Sequence, residues 1–373
     1  MPSEIVPTSE TRTLTSTFGD FLTLAQKERD FLVLLGVGFF AAGISFQHPI
    51  AGAWVGFLFA SYSTVANDSI QTIGTFIASN RRQPWWLLWL FIGGVFLATV
   101  TYSWITYDGD VTYQRLAAKG FATAPTSFSF LQVAAPLFLL ILTRLKMPVS
   151  TTFLLLTGFA TTASSVGKVL TKSLTGYVVA FVAAIVIWTL AARPMKRWMR
   201  GEAHPGWRVA QWLTTACLWS VWLMQDAANI AVYLPRSLDA WEFIAFAAAI
   251  FLGLGVLFRM RGERIQEVVE EKSEVVDVRA ATLIDFVFAV LLYYFKSISK
   301  MPMSTTWVFI GLLSGRELAL TWMRANNRTL RGALRMITKD LAMVSIGLFI
   351  SLVLAVAVND PFRREVLLAF GLR

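Results

Sequence analysis

Apolar runs of about twenty residues, recurring along most of the chain, constrain this sequence more than any other feature, because a helix needs that length to cross a bilayer's hydrocarbon core. Candidate spans cover 30–47, 84–106, 121–143, 174–192, 239–258, 280–298 and 338–358. Two further runs, 49–66 and 208–224, end in the polar clusters TVANDSIQ and MQDAAN. Two others open at Met147 and Met301 with Pro and a Ser-Thr-Thr triplet. Charged residues are 15 % of the 373 positions, whereas soluble domains carry about 25 %. These features describe an all-α integral membrane protein and exclude a cytosolic enzyme, a nucleic-acid binder and a disulfide-stapled secreted domain. Cys217 is the sole cysteine, so no intrachain disulfide forms. The formal net charge of +10 then reads as basic cytoplasmic loops that hold the chain in place.

The chain repeats itself. Lys146-Met147-Pro148-Val149-Ser150-Thr151-Thr152 returns as Lys300-Met301-Pro302-Met303-Ser304-Thr305-Thr306, and Asn67-Asp68-Ser69-Ile70-Gln71 is answered by Gln225-Asp226-Ala227-Ala228-Asn229. Asp68 and Asp226 are 158 positions apart, Ser150 and Ser304 154, so two different motifs recur in one order at nearly one offset. If each Ser-Thr-Thr segment makes a net crossing, each half crosses five times and the second half is inverted. Lys and Arg then gather on one side, in Arg81 and Arg82, in Arg193, Lys196, Arg197, Arg200 and Arg208, and in Arg324, Arg328, Arg331, Arg335 and Lys339. Parallel halves would split the basic residues almost evenly. The positive-inside bias therefore favours inversion, with the N-terminus cytoplasmic and the C-terminus outside; Arg363 and Arg364 count mildly against it.

The expected division is a polar N-terminal segment (1–29), an extra transmembrane helix (30–47), a first repeat (48–192), a basic cytoplasmic linker (193–207), a second repeat (208–358) and a C-terminal tail (359–373). With Glu4, Glu10 and Arg12 ahead of any apolar run, the first segment does not read as a cleavable signal peptide. The charged stretch 259–279 reads as a solvated loop or surface helix. Inverted repeats with polar breaks or re-entrant segments at matched positions, meeting at mid-bilayer, are the pattern of secondary transporters, whose two halves give outward and inward states of similar energy.

Asp68 and Asp226 fall where the apolar runs end. A carboxylate at the bilayer centre costs roughly 2.5–3.5 kcal/mol, so it persists where it binds a cation, carries a proton or meets another charge. Asn67, Gln71, Gln225 and Asn229 add amide oxygens suited to a hard cation, with Asp68 and Asp226 the candidate sodium ligands. The simpler alternative is a polar cluster buried against a neighbouring helix. Ser150, Thr151 and Thr152, like Ser304, Thr305 and Thr306, follow a Pro that favours a helix start. Hydroxyls and free N–H groups at a helix N-terminus make an anion cradle; ordinary N-capping by Ser is the alternative. Lys146 and Lys300 read as snorkelling to the headgroups, or as guards of two vestibules. Trp85, Trp86 and Trp89 read as an aromatic belt. Arg236 and Arg316-Glu317 read as packing charges, and His48 and His204 carry no assigned role.

At these residues the chain resembles the inorganic phosphate transporter (PiT) family, which carries an N-D-x-x-N-type and a P-V-S-T-T-H-type motif in each of two inverted repeats. The resemblance runs from about 49 to 358. It implies symport of inorganic phosphate with Na⁺ or H⁺ across the cell's inner membrane, with no other cofactor. Asp68, Gln71, Asp226 and Asn229 would serve the cation, and Asn67, Gln225 and the six hydroxyl residues would hold phosphate oxygens. The sequence departs from the pattern in three ways. The His after Ser-Thr-Thr is Phe153 and Trp307, the Gly before the first motif is missing from both copies (Thr64-Val65-Ala66 and Trp222-Leu223-Met224), and Gln71 and Gln225 stand where Asn is expected. Sulfate therefore stays open as the anion, as does a homodimer. Two readings from other classes are a membrane-embedded lipid-diphosphate phosphatase and a non-transporting sensor. The first lacks a His beside either triplet and an Arg cluster ahead of it; the appeal of the second is the eroded glycines.

Overall fold

The computed structural model describes residues 28–145, 147–198, 201–260, 277–298, 300–326, 328–369 and 371. The segment 1–27, Lys146, Arg200, residues 261–276 of the charged stretch, and the side chains of Arg193, Lys196 and Arg197 lie outside that description. Among the described residues the chain is helical, without a strand.

Helix α1 (Arg29–Ser45) precedes the repeats and packs on α2 (Pro49–Ser79) and on α4 (Phe130–Arg144). The first half continues through α3 (Trp85–Thr106), α4, the single turn α5 (Thr151–Leu154) with a 3₁₀ turn at Leu156–Phe159, and α6 (Ala163–Trp198). The second half is α7 (Gly206–Ala231), α8 (Ala240–Arg259), α9 (Val278–Ile298), α10 (Thr305–Trp322) and α11 (Leu330–Val358), followed by the short α12 (Asp360–Ala369). Helices α2, α3, α6, α8, α9 and α11 each contain an apolar stretch long enough to span a bilayer.

Three expectations about helix bounds are corrected. The runs ending in the Asp motifs do not break there: α2 continues unbroken through Asn67–Gln71, and α7 runs past Asn229 to Ala231. Polar side chains alone leave the backbone ladder intact, and no Pro or Gly lies between Phe57 and Ile73 to interrupt it. The span expected from 121 starts at Phe130, where Ser129 and Gln132 form a capping box, while Gly120 and Pro125 keep the preceding stretch in turns. The span expected at 174–192 is part of the longer α6.

The real breaks precede the Ser-Thr-Thr triplets, at 147–150 and 301–304, and the two copies differ beyond them. The second opens the 18-residue α10. The first makes one helical turn and stops at the extended Ala160. Asn359 Nδ2 donates to the freed carbonyls of Thr157 (3.1 Å) and Ala160 (2.6 Å).

The packing partners interchange between halves. Helix α10 lies on α6 and α5 lies on α11, so each Ser-Thr-Thr segment docks on the last helix of the opposite half. Gly311 and Gly315 permit the first contact, because a Cβ there would strike the carbonyl oxygens of Tyr177 and Phe181. The corresponding helices α2 and α7 run antiparallel. Asn80 at the end of α2 donates to Gln211 near the start of α7 (2.9 Å), while Gly56 near the start of α2 abuts Tyr233 just past the end of α7. Helices α3 and α8 repeat this: Trp89 Nε1 donates to Phe251 O (2.9 Å) and Trp104 Nε1 to Leu238 O (2.8 Å). Trp89 is thus a packing residue between halves rather than part of a lipid-facing belt. Arg236 is also a packing charge, donating to the carbonyls of Phe121, Thr123, Val232 and Leu234.

Candidate functional site

The antiparallel crossing of α2 and α7 brings Asp68 and Asp226 to one buried level, and both carboxylates are fully removed from solvent. They lie close enough to repel each other. The Ser-Thr-Thr segments complete the cluster from two sides. Asp68 Oδ1 accepts from Asn67 Nδ2 (2.6 Å), and Asp68 Oδ2 accepts from the Thr151 hydroxyl. Asn67 Oδ1 accepts from Thr143 Oγ1 on α4 (3.1 Å), and Asn67 Nδ2 also reaches Val149 O (3.0 Å). Asp226 Oδ1 accepts from Asn229 Nδ2 (2.7 Å), and Thr152 Oγ1 lies 3.5 Å from it. Asn229 Nδ2 also reaches Thr151 Oγ1 (2.9 Å) and Thr152 Oγ1 (3.2 Å). Thr151 therefore ties the two halves together, donating to Asp68 and accepting from Asn229. Thr305, at the first turn of α10, lies beside the Asp226 carboxylate.

Most of the residues expected from sequence converge here: Asn67, Asp68, Thr151, Thr152, Asp226, Asn229 and Thr305. Gln225 is adjacent, with its Nε2 donating to Leu292 O (3.1 Å). Gln71 is half-buried and Thr306 buried, and among the described residues neither is hydrogen-bonded into the cluster. Ser150 and Ser304 act as N-caps, accepting from Phe153 N (3.3 Å) and Trp307 N (3.4 Å). The capping alternative is thus realised for the two serines, and the threonines carry the contacts to the carboxylates.

The two halves differ in how far their polar atoms are satisfied. Both Asp68 oxygens and the Asn67 oxygen have donors. On α7, Gln225 Oε1, Asp226 Oδ2 and Asn229 Oδ1 are buried acceptors with no hydrogen-bond partner among the described residues. A buried polar atom left unmatched costs about 1–3 kcal/mol. Three unmatched acceptors within two turns of one helix form a set that a cation, or a donor on a ligand, would satisfy.

Sequence reasoning missed Arg115. It is 1 % exposed, in the turn-rich segment after α3, and its Nε donates to Met224 O (3.2 Å) two residues before Asp226. It acts electrostatically on Asp226, and Lys172 on α6 and Lys296 on α9 lie within range of its charge. The turn that delivers it is held by Asp110, which accepts from Thr112 N (2.6 Å) and Gln114 N (2.7 Å). Tyr113 and Gln114 occupy the left-handed region, a costly conformation for side chains with a Cβ. Lys296 Nζ sits 5.3 Å from the centre of the Tyr113 ring, Lys300 is bonded to Gln114, and Lys172 Nζ donates to Met301 O (2.5 Å). One flank of the acidic pair is therefore cationic. An Arg in a short connection carries no spacing signal and reads from sequence as an interfacial charge.

No family model matches the sequence, and no curated protein matches it significantly. Among solved structures the chain matches one described as the sodium-dependent phosphate transporter, at a TM-score of 0.56 and 18 % identity, covering 86 % of this chain and 99 % of that one. At that identity the likeness is one of fold: this chain is an all-helical membrane protein with the fold of that transporter.

Proposed function

We propose that this chain is a cation-coupled symporter that moves inorganic phosphate across the cell membrane by alternating access. The observation that carries the reading is the buried meeting of Asp68 and Asp226 with Thr151 and Thr152 of one Ser-Thr-Thr segment and Thr305 of the other, beside three unmatched acceptors on α7. The cation, Na⁺ or H⁺, binds at Asp226 Oδ2 with Gln225 Oε1 and Asn229 Oδ1 as neighbouring oxygens. Phosphate oxygens are held by the Thr305 hydroxyl and the N–H groups at the start of α10, where the helix dipole favours an anion, and by Thr151 and Thr152 once their hydroxyl hydrogens turn from Asp68 and Met303 O to the anion. Arg115, which acts on the Asp226 side of the pair, offsets the anion's charge. Cation and anion neutralise each other at mid-bilayer, which couples their binding.

Alternation rests on inverted repeats. The antiparallel runs of α2 against α7 and of α3 against α8 support inversion, as do the exposed Arg81, Arg82 and Arg208 gathered at one end of the α2–α7 pair. By the positive-inside bias that end is cytoplasmic, so the N-terminus lies inside and the C-terminus outside.

The test is equilibrium binding of labelled phosphate and sulfate to purified protein in sodium and in choline buffer. Phosphate is expected to bind and to be displaced poorly by sulfate, and Arg115→Gln weakens it at least tenfold, the loss of one charge-assisted contact worth about 1.5–3 kcal/mol. Tighter binding of sulfate than phosphate would reassign the substrate; binding of neither would remove the transporter reading.

A further inference from the structure

Asp285 on α9 is a third buried carboxylate, 1 % exposed and remote from the central cluster. One oxygen accepts from Thr75 Oγ1 on α2 (2.7 Å) and the other from Thr215 Oγ1 on α7 (2.5 Å), so it joins helices of opposite halves. Thr75 lies seven residues beyond Asp68, about 10 Å along the helix. The titratable and charged side chains on the packed helices are Tyr62 and Asp68 of α2, Arg208, Cys217 and Asp226 of α7, Arg279, Tyr293, Tyr294 and Lys296 of α9, and Arg316 and Glu317 of α10. The hydrogen-bond partners of Asp285 among the described residues are the Thr75 and Thr215 hydroxyls, and Arg279 is paired with Asp277 (2.6 Å).

We propose that Asp285 is a proton-binding site, separate from the central cation site, through which a proton travels with each transported anion. An ionised carboxylate without a cation is costly at this depth. Its two partners are hydroxyls, with no carbonyl or amide oxygen among them, too few for a hard metal cation that takes roughly six or more oxygens. A proton meets the need with what is present. One O–H bond forms on the carboxylate, and the Thr hydroxyl that had donated to that oxygen turns to accept, since a hydroxyl has both a hydrogen and free lone pairs. Release breaks the same bond and returns the hydroxyl.

A polar track reaches the site. Asp68, Thr72, Thr75 and Ser79 line one face of α2 at helical spacing, with Thr72 Oγ1 on Asp68 O (3.5 Å). Beyond Asp285, Gln211 bonds Ser79, Asn80 Nδ2 donates to Gln211 Oε1 (2.9 Å), and Trp212 Nε1 donates to Asn80 Oδ1 (3.2 Å). This layer ends beside the exposed Arg81 and Arg82. Asp285 thus stands between the central carboxylates and the basic end of the molecule.

The inference rests on the transport reading, and its test separates the two. Full-length protein in liposomes is assayed for labelled-phosphate exchange at equal pH and for phosphate accumulation under a proton gradient at equal sodium. Wild type is expected to do both, with about tenfold accumulation per pH unit for one coupled proton. Asp285→Asn keeps exchange and loses accumulation. Wild-type exchange without proton-driven accumulation, or accumulation by Asp285→Asn equal to wild type, overturns the proposal and leaves the transport reading standing. If wild type does not exchange phosphate at all, the transport reading fails; infrared spectra then decide whether a titrating carboxylic-acid band disappears in Asp285→Asn, and its persistence overturns the site. Should Asp285→Asn fail to fold, Thr75→Val with Thr215→Val removes both donors to the ionised form and moves the pH midpoint of uptake upward; an unmoved midpoint contradicts the proposal.

Discussion

Thr151 ties the two halves of the central cluster through a single hydroxyl, which serves a carboxylate of the first half and an amide of the second. Thr151→Val keeps the shape and strands both partners. The expected cost is about 1–3 kcal/mol for each buried group left short, seen as a lower melting temperature in detergent, and Thr151→Ser restores it. Equal stability of the Val and Ser variants would mean that the bridge contributes nothing. Ser304→Ala loses an N-cap, worth about 0.5–2 kcal/mol, and is expected to lower stability while phosphate affinity changes little; a large loss of affinity at unchanged stability would return Ser304 to the ligand set. At this scale the sequence was legible where rarity speaks: a carboxylate and a hydroxyl triplet in apolar surroundings, each occurring twice. Which oxygens already have donors was not legible. Asp68 and Asp226 look alike as letters, yet among the described residues only the second keeps an unmatched oxygen, beside the equally unmatched amide oxygens of Gln225 and Asn229. Arg115 was illegible for a different reason, since its burial depends on a turn whose residues show no periodicity.

Helices α10 and α6 cross with backbones nearly touching at Gly311 and Gly315, and this contact fixes where Thr305 stands relative to Asp226. Gly311→Ala places a methyl group against the Tyr177 carbonyl, which is backbone and cannot swing aside. Overpacking of this kind costs about 1–3 kcal/mol, and the variant is expected to melt earlier and to bind phosphate more weakly. Unchanged melting would show that the crossing tolerates a wider spacing. The elements themselves were legible by length and apolarity, so nearly every span was found. Breaks are expected at both motifs, and only those at the Pro-led Ser-Thr-Thr segments are found. Asn67, Asp68, Gln225 and Asp226 look like interruptions on a hydropathy scale, but the helix is held by backbone bonds that polar side chains leave intact, and the chain breaks where Pro148 and Pro302 remove a donor. The unequal lengths of α5 and α10 were not legible either, because the first copy is stopped by a contact from Asn359, about two hundred residues away in sequence.

Over the whole molecule, the exchange of packing partners between the halves is the feature on which the proposed alternation would rest. Each Ser-Thr-Thr segment rests on the opposite half's last helix, and the leading helices of the two halves lie antiparallel across the acidic pair. Under the proposed alternating access, motion of either half would move one triplet relative to both carboxylates and so couple access to occupancy. The duplication is legible in the sequence as two motifs at one offset, whereas the cross-docking required the structure; inversion belongs to the proposed reading. The central claim is that the halves share one site whose cation-binding groups lie on α7. The most direct measurement is labelled-phosphate uptake into liposomes with and without an inward sodium or proton gradient, for wild type and Asp226→Asn. Gradient-driven accumulation by wild type, and its loss in a folded Asp226→Asn protein, is the predicted result; accumulation by Asp226→Asn that matches wild type under every gradient would contradict it.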